Sequence, residues 1–170
     1  TLTAKNIVIA TGARARSLPS LQIDGTDIIT SRHALELRDK PEAVAIIGAS
    51  AIGCEFAYYF NSYGVNVMMF EMLQHLVPRE DEEVSIELER QFGQQGIEFA
   101  TSADVSGVEK RDGRLAVQYE VSGKKQEFIC DKVLLGVGVQ PNTDQIGLEN
   151  VGINTNEAGY IEVDGNMRTN

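Results

Sequence analysis

Apolar residues in this chain gather into short continuous runs divided by glycine-containing breaks. Lys5 to Thr11 (KNIVIAT) ends at Gly12 and predicts a buried strand. Ala43 to Ile47 predicts a second strand, broken by Gly48, and Asn66 to Phe70 a third. Between them Ala51 to Tyr63 has helical spacing, with Ile52, Phe56, Tyr59, Phe60 and Tyr63 as the apolar positions and Gly64 at the C-cap. Asp81 to Gln95 predicts another helix, its early acids Asp81, Glu82 and Glu83 suited to a helix start. Ile97 to Ala100 is a further short strand. Residues 13–40 carry little periodicity beyond a helical stretch at Ser31 to Leu37 and read as a connection.

Beyond residue 104 the pattern changes. Val105 to Arg111, Arg114 to Val121 and Lys124 to Ile129 are separated by Asp112-Gly113 and Ser122-Gly123, dipeptides that favour tight hairpin turns. They predict a three-stranded antiparallel meander. Asp131 to Val137 then returns to a continuous apolar strand. Strand, helix, strand, helix, strand implies right-handed βαβ crossovers and a parallel sheet covered by helices. The meander takes the place of the last crossover helix. The expected fold class is α/β, a Rossmann-like sheet whose ligands sit at the carboxyl ends of its strands.

Composition narrows the function classes. The chain has 170 residues, 42% of them hydrophobic, enough for an ordinary globular core. The net charge of −10 argues against nucleic acid or an anionic membrane as partner. No apolar run approaches the roughly 20 residues of a membrane span. Cys54 and Cys130 fit no zinc or CxxC spacing and read as buried small hydrophobes in a cytoplasmic protein. His33 and His75 stand alone and read as loop or surface residues. Without an initiator Met or a leader, the chain is expected to be a domain cut from a longer protein.

The chemistry lies in Gly48-Ala49-Ser50-Ala51-Ile52-Gly53, placed between a strand and a helix. A G-x-G-x-x-G fingerprint there uses the first glycine for the turn and the last for helix packing, and offers helix N–H groups to a pyrophosphate. Ser50 replaces the middle glycine, where it either crowds the phosphates or donates a hydrogen bond. The plainer reading is a tight βα turn with no ligand. Glu71 ends the next strand, 23 residues after Gly48, and fits the acid that accepts hydrogen bonds from the adenosine ribose. A carboxylate there repels a 2′-phosphate and favours NAD(H) over NADP(H). Its plainer reading is a solvated strand-end acid.

Further segments carry a family resemblance. Thr3 to Gly12, Gly48 to Glu55, Glu71 to Asp81, Val133 to Thr143, Gly159 to Asp164 and Met167-Arg168-Thr169 together span essentially the whole chain. In order and spacing they resemble the central NAD-binding domain of the dihydrolipoamide dehydrogenases, class I pyridine nucleotide–disulfide oxidoreductases. The resemblance implies a single NAD(P)-binding domain over 1–170, with a core of about 41–145 and flanks leading to a separate FAD domain. It implies that Gly48, Ala49, Ser50, Ala51, Ile52 and Gly53 hold the NAD pyrophosphate and Glu71 the ribose. Val105 would lie on the adenine side and Gly138 beside the nicotinamide half. Thr11 and Gly12 would face FAD. Glu55 would either pair with a lysine beside the flavin or stand as a solvated first-turn acid.

The same resemblance implies no catalytic residue and no metal ligand in this chain. The redox cysteines and the acid–base pair would belong to other parts of an FAD-dependent parent that oxidises dihydrolipoamide with NAD as acceptor. That parent would be a homodimer, a partner of 2-oxo acid dehydrogenase complexes, whereas this chain alone would be an inactive monomer that binds NAD(H). Two departures, Ser50 and Val139 in place of the arginine of G-R-x-P-N, keep open another flavin disulfide reductase, such as a mercuric reductase-like enzyme, or a non-catalytic packing domain.

Overall fold

Two buried faces explain why the strands read as continuous apolar runs. The structure, a computed structural model, describes residues 3–170. Its connectivity is β1 (Ala13–Ala15), β2 (Ile28–Ile29), α1 (Ser31–Leu35), β3 (Ala43–Ile47), α2 (Ala51–Ser62), β4 (Asn66–Phe70), α3 (Glu82–Gln94), β5 (Glu98–Ala100), β6 (Ala103–Arg111), β7 (Arg114–Val121), β8 (Lys124–Cys130), β9 (Lys132–Leu135) and β10 (Val139–Pro141). The chain divides into two units, Ala15–Gly138 and residues 3–14 with Val139–Asn170.

In the larger unit a five-stranded sheet runs β2-β9-β3-β4-β5, and each neighbouring pair is parallel. Alternate side chains of each strand leave opposite faces. Val44 and Ile46 of β3, Val67 and Met69 of β4 and Leu134 of β9 enter one core with Ala57 and Phe60 of α2 and Phe92 of α3. Ala43, Ala45 and Ile47, with Met68, Phe70, Val133 and Leu135, enter a second core with Leu115, Val117 and Tyr119 of the meander. The central sheet is thus covered on one face by helices and on the other by the antiparallel β6-β7-β8, and neither face of β3 can carry a polar residue. The meander turns have φ of 50° and 82° at Asp112-Gly113, and 52° and 76° at Ser122-Gly123. Both central residues of each turn are left-handed, as a type I′ hairpin requires.

The face of α2 differs from the expected one. Gly53, Cys54, Ala57 and Phe60 are its buried residues, whereas Tyr63 is 63% exposed and Tyr59 is also exposed. Small residues let the helix approach the sheet closely, and the longer tyrosines are left on the flank. Exposed aromatics Tyr59 and Tyr63 instead pack against each other as a tilted pair, with ring centroids 5.1 Å apart. The acids Asp81, Glu82 and Glu83 lie exposed at the start of α3, as expected.

The smaller unit holds Ala13 and Arg14 of β1, all of β10, and a 3-10 turn at Leu148–Val151. Lys5 to Thr11, expected as a buried strand, is irregular backbone with Ile7 82% and Val8 87% exposed. Strand residues are stabilised by neighbours on the pleated surface, and among the described residues this run has no ladder partner. Also among the described residues, no helix is long and apolar enough to cross a membrane, and no group of three or more His, Cys, Asp or Glu side chains could hold a metal ion.

Candidate functional site

The turn from β3 into α2 is closed by three glycines. Gly48 has φ 97°, and its N–H donates to the carbonyl of Phe70 at 2.8 Å. A Cβ on Gly48 would stand 2.6 Å from the carbonyl oxygen of Gly136, which follows β9. A Cβ on Gly53 would stand 2.0 Å from the oxygen of Gly48, and one on Gly136 would stand 3.0 Å from that oxygen. Carbon and backbone oxygen cannot approach to 2.0 Å, so the helix can begin this close to the turn only with glycine at 53. Gly136 lies within the run expected as a strand, but nothing near it in sequence marked it as the third member of this junction.

Ala49 is fully buried and ties the turn to the neighbouring loop. Its N–H donates to Oε2 of Glu71 at 2.8 Å, and its carbonyl accepts from the N–H of Val77 at 2.8 Å. Glu71 is 9% exposed, and its Oε1 accepts from the N–H of Leu73 at 3.0 Å. Its backbone continues the sheet edge, donating to Ala100 and accepting from Ala103 at 2.9 Å each. The carboxylate therefore meets the glycine-rich turn at the carboxyl end of β4, not open solvent. Each carboxylate oxygen keeps acceptor capacity beyond these bonds.

Ser50 is the N-cap of α2, and its hydroxyl donates to the Gly136 carbonyl at 3.1 Å. The Ser50 side chain is thus engaged with protein backbone. Ala51 is exposed and Ile52 half-buried in the first turn of α2. Glu55 is exposed one turn further on. Val105 is half-buried in β6 beside a bulge in the β6–β7 pairing. Gly138 has φ 96° and open space where a Cβ would stand. Fingerprint, Glu71 and the end of β9 are thus brought together at the carboxyl end of the sheet.

Thr11 and Gly12 belong to the smaller unit and have their own partner. Asn142 donates from Nδ2 to the Thr11 carbonyl at 3.1 Å and from its backbone N–H to the Gly12 carbonyl at 2.9 Å. Arg14 adds bonds to Pro141 O and Asn142 Oδ1, both at 3.1 Å, and an ion pair with Asp144. Sequence reasoning assigned no role to Arg14, because its partners lie more than 120 residues away.

The remaining candidates are structural. Burial pushes the thiols of Cys54 and Cys130 up to about 11 each, in keeping with small buried hydrophobes. His33 Nδ1 lies 2.9 Å from Thr30 Oγ1 at the start of α1. His75 is partly buried, with Nδ1 3.2 Å from Oε1 of Glu89, an oxygen that also accepts from the N–H of Leu76. A cleft of about 530 Å³ is lined by Met72, Leu73, His75, Pro78, Glu82 and Ser85, among others, and by no fingerprint residue.

Comparison with known proteins bears on this geometry. The profile of the family described as pyridine nucleotide-disulphide oxidoreductase matches residues 1–170. A dihydrolipoyl dehydrogenase of Rhizobium etli is 40% identical over 171 residues, and one of Mycobacterium leprae is 37% identical over 169. These alignments cover 100% and 99% of this chain but only 35% and 36% of those proteins, so the chain spans little more than a third of their length. Among solved structures, the HOCl-induced flavoprotein disulfide reductase RclA from Escherichia coli has a TM-score of 0.82 at 28% identity, over 94% of this chain and 36% of that one. LpdA from Mycobacterium tuberculosis has a TM-score of 0.82 at 32% identity, over 94% of this chain and 34% of its own. With the family profile matched from end to end, and solved relatives sharing the fold, the chain belongs to the pyridine nucleotide-disulphide oxidoreductase family.

Proposed function

We propose that this chain is the NAD(H)-binding part of a flavin-dependent dihydrolipoamide dehydrogenase. The observation that carries the reading is the meeting of Glu71 with the Gly48–Gly53 turn, through the Ala49 N–H···Oε2 bond of 2.8 Å. A tight glycine turn leading into a helix N-terminus, next to a strand-end carboxylate, fits a pyrophosphate and its neighbouring ribose. Dihydrolipoyl dehydrogenases among the relatives supply the substrate class.

In this reading residues 1–170 are one nucleotide-binding domain of a longer flavoprotein. Gly48 to Gly53 hold the pyrophosphate and Glu71 accepts from the ribose hydroxyls. Val105 lies on the adenine side and Gly138 on the nicotinamide side. Thr11 and Gly12 face the FAD of a neighbouring domain, and Glu55 anchors a lysine beside it. Bound NAD supplies hydride acceptance, and FAD supplies the link to a dithiol substrate. The residues of this chain bind and orient, and none of them moves a proton or an electron. The parent acts as a homodimer that serves 2-oxo acid dehydrogenase complexes.

A second reading, another flavin disulfide reductase of the family, draws on the likeness to RclA and on Val139 at the usual arginine position. Both readings are tested by calorimetric titration of the purified chain with NADH and with NADPH. Preferential NADH binding is expected. Preference for NADPH would overturn the Glu71 assignment and favour the second reading, and binding of neither would overturn the nucleotide site itself.

A further inference from the structure

Ser50 stands where the fingerprint has its middle glycine, yet its backbone does not call for one. Its φ of −72° and ψ of −177° are ordinary extended values. A serine at an N-cap usually turns its oxygen onto the N–H groups two or three residues ahead. Here no such side-chain cap bond forms. The hydroxyl instead donates to the carbonyl of Gly136 at 3.1 Å. That carbonyl is the same atom a Cβ on Gly48 would strike at 2.6 Å. Gly48 leaves the space for close approach, and Ser50 supplies the polar link across it. The first-turn N–H groups of α2 are consequently not taken up by the helix's own cap.

We propose that Ser50 is a positioning residue of the nucleotide site, whose hydroxyl locks the fingerprint turn to the end of β9 and leaves the α2 N–H groups free for pyrophosphate. The proposal rests on the NAD(H)-binding reading and deepens it. It inverts what the bare fingerprint suggests: restoring the glycine should weaken binding, because the link to Gly136 is lost.

The experiment measures the NADH dissociation constant of the purified chain and of S50A, S50G and S50T, with thermal unfolding of each. S50A and S50G are expected to bind about 3- to 10-fold more weakly, the scale of one lost hydrogen bond. S50T keeps a hydroxyl and should bind within about 2-fold of the parent chain. Rescue by threonine separates the hydroxyl link from a general structural effect. If S50G binds as tightly as the parent or more so, or if S50T falls with S50A, the Ser50 role is overturned while the NAD(H) reading stands. If the unsubstituted chain binds no NADH, that reading is overturned and the Ser50 role with it.

Discussion

The carboxylate of Glu71 accepts the backbone N–H of Ala49 at 2.8 Å, which makes the proposed ribose acceptor a structural element of the fingerprint turn as well. A second N–H, from Leu73, binds its other oxygen at 3.0 Å. Loss of the carboxylate leaves a buried donor on Ala49 without a partner. Hydrogen bonds to a charged group are worth about 1.5–3 kcal/mol, and an orphaned buried donor costs about 1–3 kcal/mol. Glu71→Ala is therefore expected to lower stability by about 2–4 kcal/mol, read from urea unfolding. Glu71→Arg should lose NADH binding without gaining NADPH, because a guanidinium accepts no hydrogen bond. A clean switch to NADPH with unchanged unfolding would show that the two N–H bonds do not matter.

Two helical glycines should respond to alanine with opposite signs. Alanine favours a helix interior over glycine by about 1 kcal/mol. At Gly93 of α3 nothing lies within 4 Å of an added Cβ, so Gly93→Ala should stabilise by about 0.5–1 kcal/mol. At Gly53 of α2 the same carbon would stand 2.0 Å from the Gly48 oxygen, a backbone atom that cannot turn aside. The steric term wins, and Gly53→Ala is expected to destabilise by about 3 kcal/mol. Parallel thermal melts of the two variants check the contrast, and a stabilised Gly53→Ala would contradict the geometry.

Asp131, just before β9, ties that strand to the start of its neighbour β3. Its Oδ2 accepts from the N–H of Glu42 at 2.8 Å and of Ala43 at 2.9 Å, just where β3 begins. Arg114 Nε lies 3.0 Å from its other oxygen. The ion pair is partly exposed on both sides and contributes little by itself, about 0–1 kcal/mol. The two backbone bonds matter more. Asp131→Ala should cost about 2–3 kcal/mol and Arg114→Ala clearly less, with denaturant midpoints as the measurement.

How far the sequence could be read depended on where each residue's partners lie. The bounds of β4 and β7 match those expected, Asn66–Phe70 and Arg114–Val121. A doubly buried run and a strand bracketed by two left-handed turn dipeptides are both local signals. Lys5 to Thr11 had the same local signal and forms no strand, since a strand needs a ladder partner that its own residues cannot supply. On α2 the apolar spacing put Tyr59 and Tyr63 on the inner face with Phe60, but close packing buried Gly53, Cys54 and Ala57 beside Phe60 instead. The site divides in the same way. Gly48, Gly53 and Glu71 were legible from spacing, whereas the direction of the Ser50 hydroxyl depended on Gly136, 86 residues away.

The two cysteines contribute to the alkaline limb of stability. Burial raises both thiols to about 11 from an ordinary value of 9.0. An acid whose folded value is raised keeps its proton longer in the folded chain than in the unfolded one. Its contribution is whole below about pH 9 and is lost progressively as pH climbs from about 9 to 11, because the unfolded chain ionises first. Cys54→Ala and Cys130→Ala should each flatten the fall in stability over that window by about one proton. At pH 8 in the native state both thiols should also react slowly with a thiol-specific disulfide reagent, and both should react fully once denaturant is added. Rapid stoichiometric labelling of the folded chain would contradict their burial.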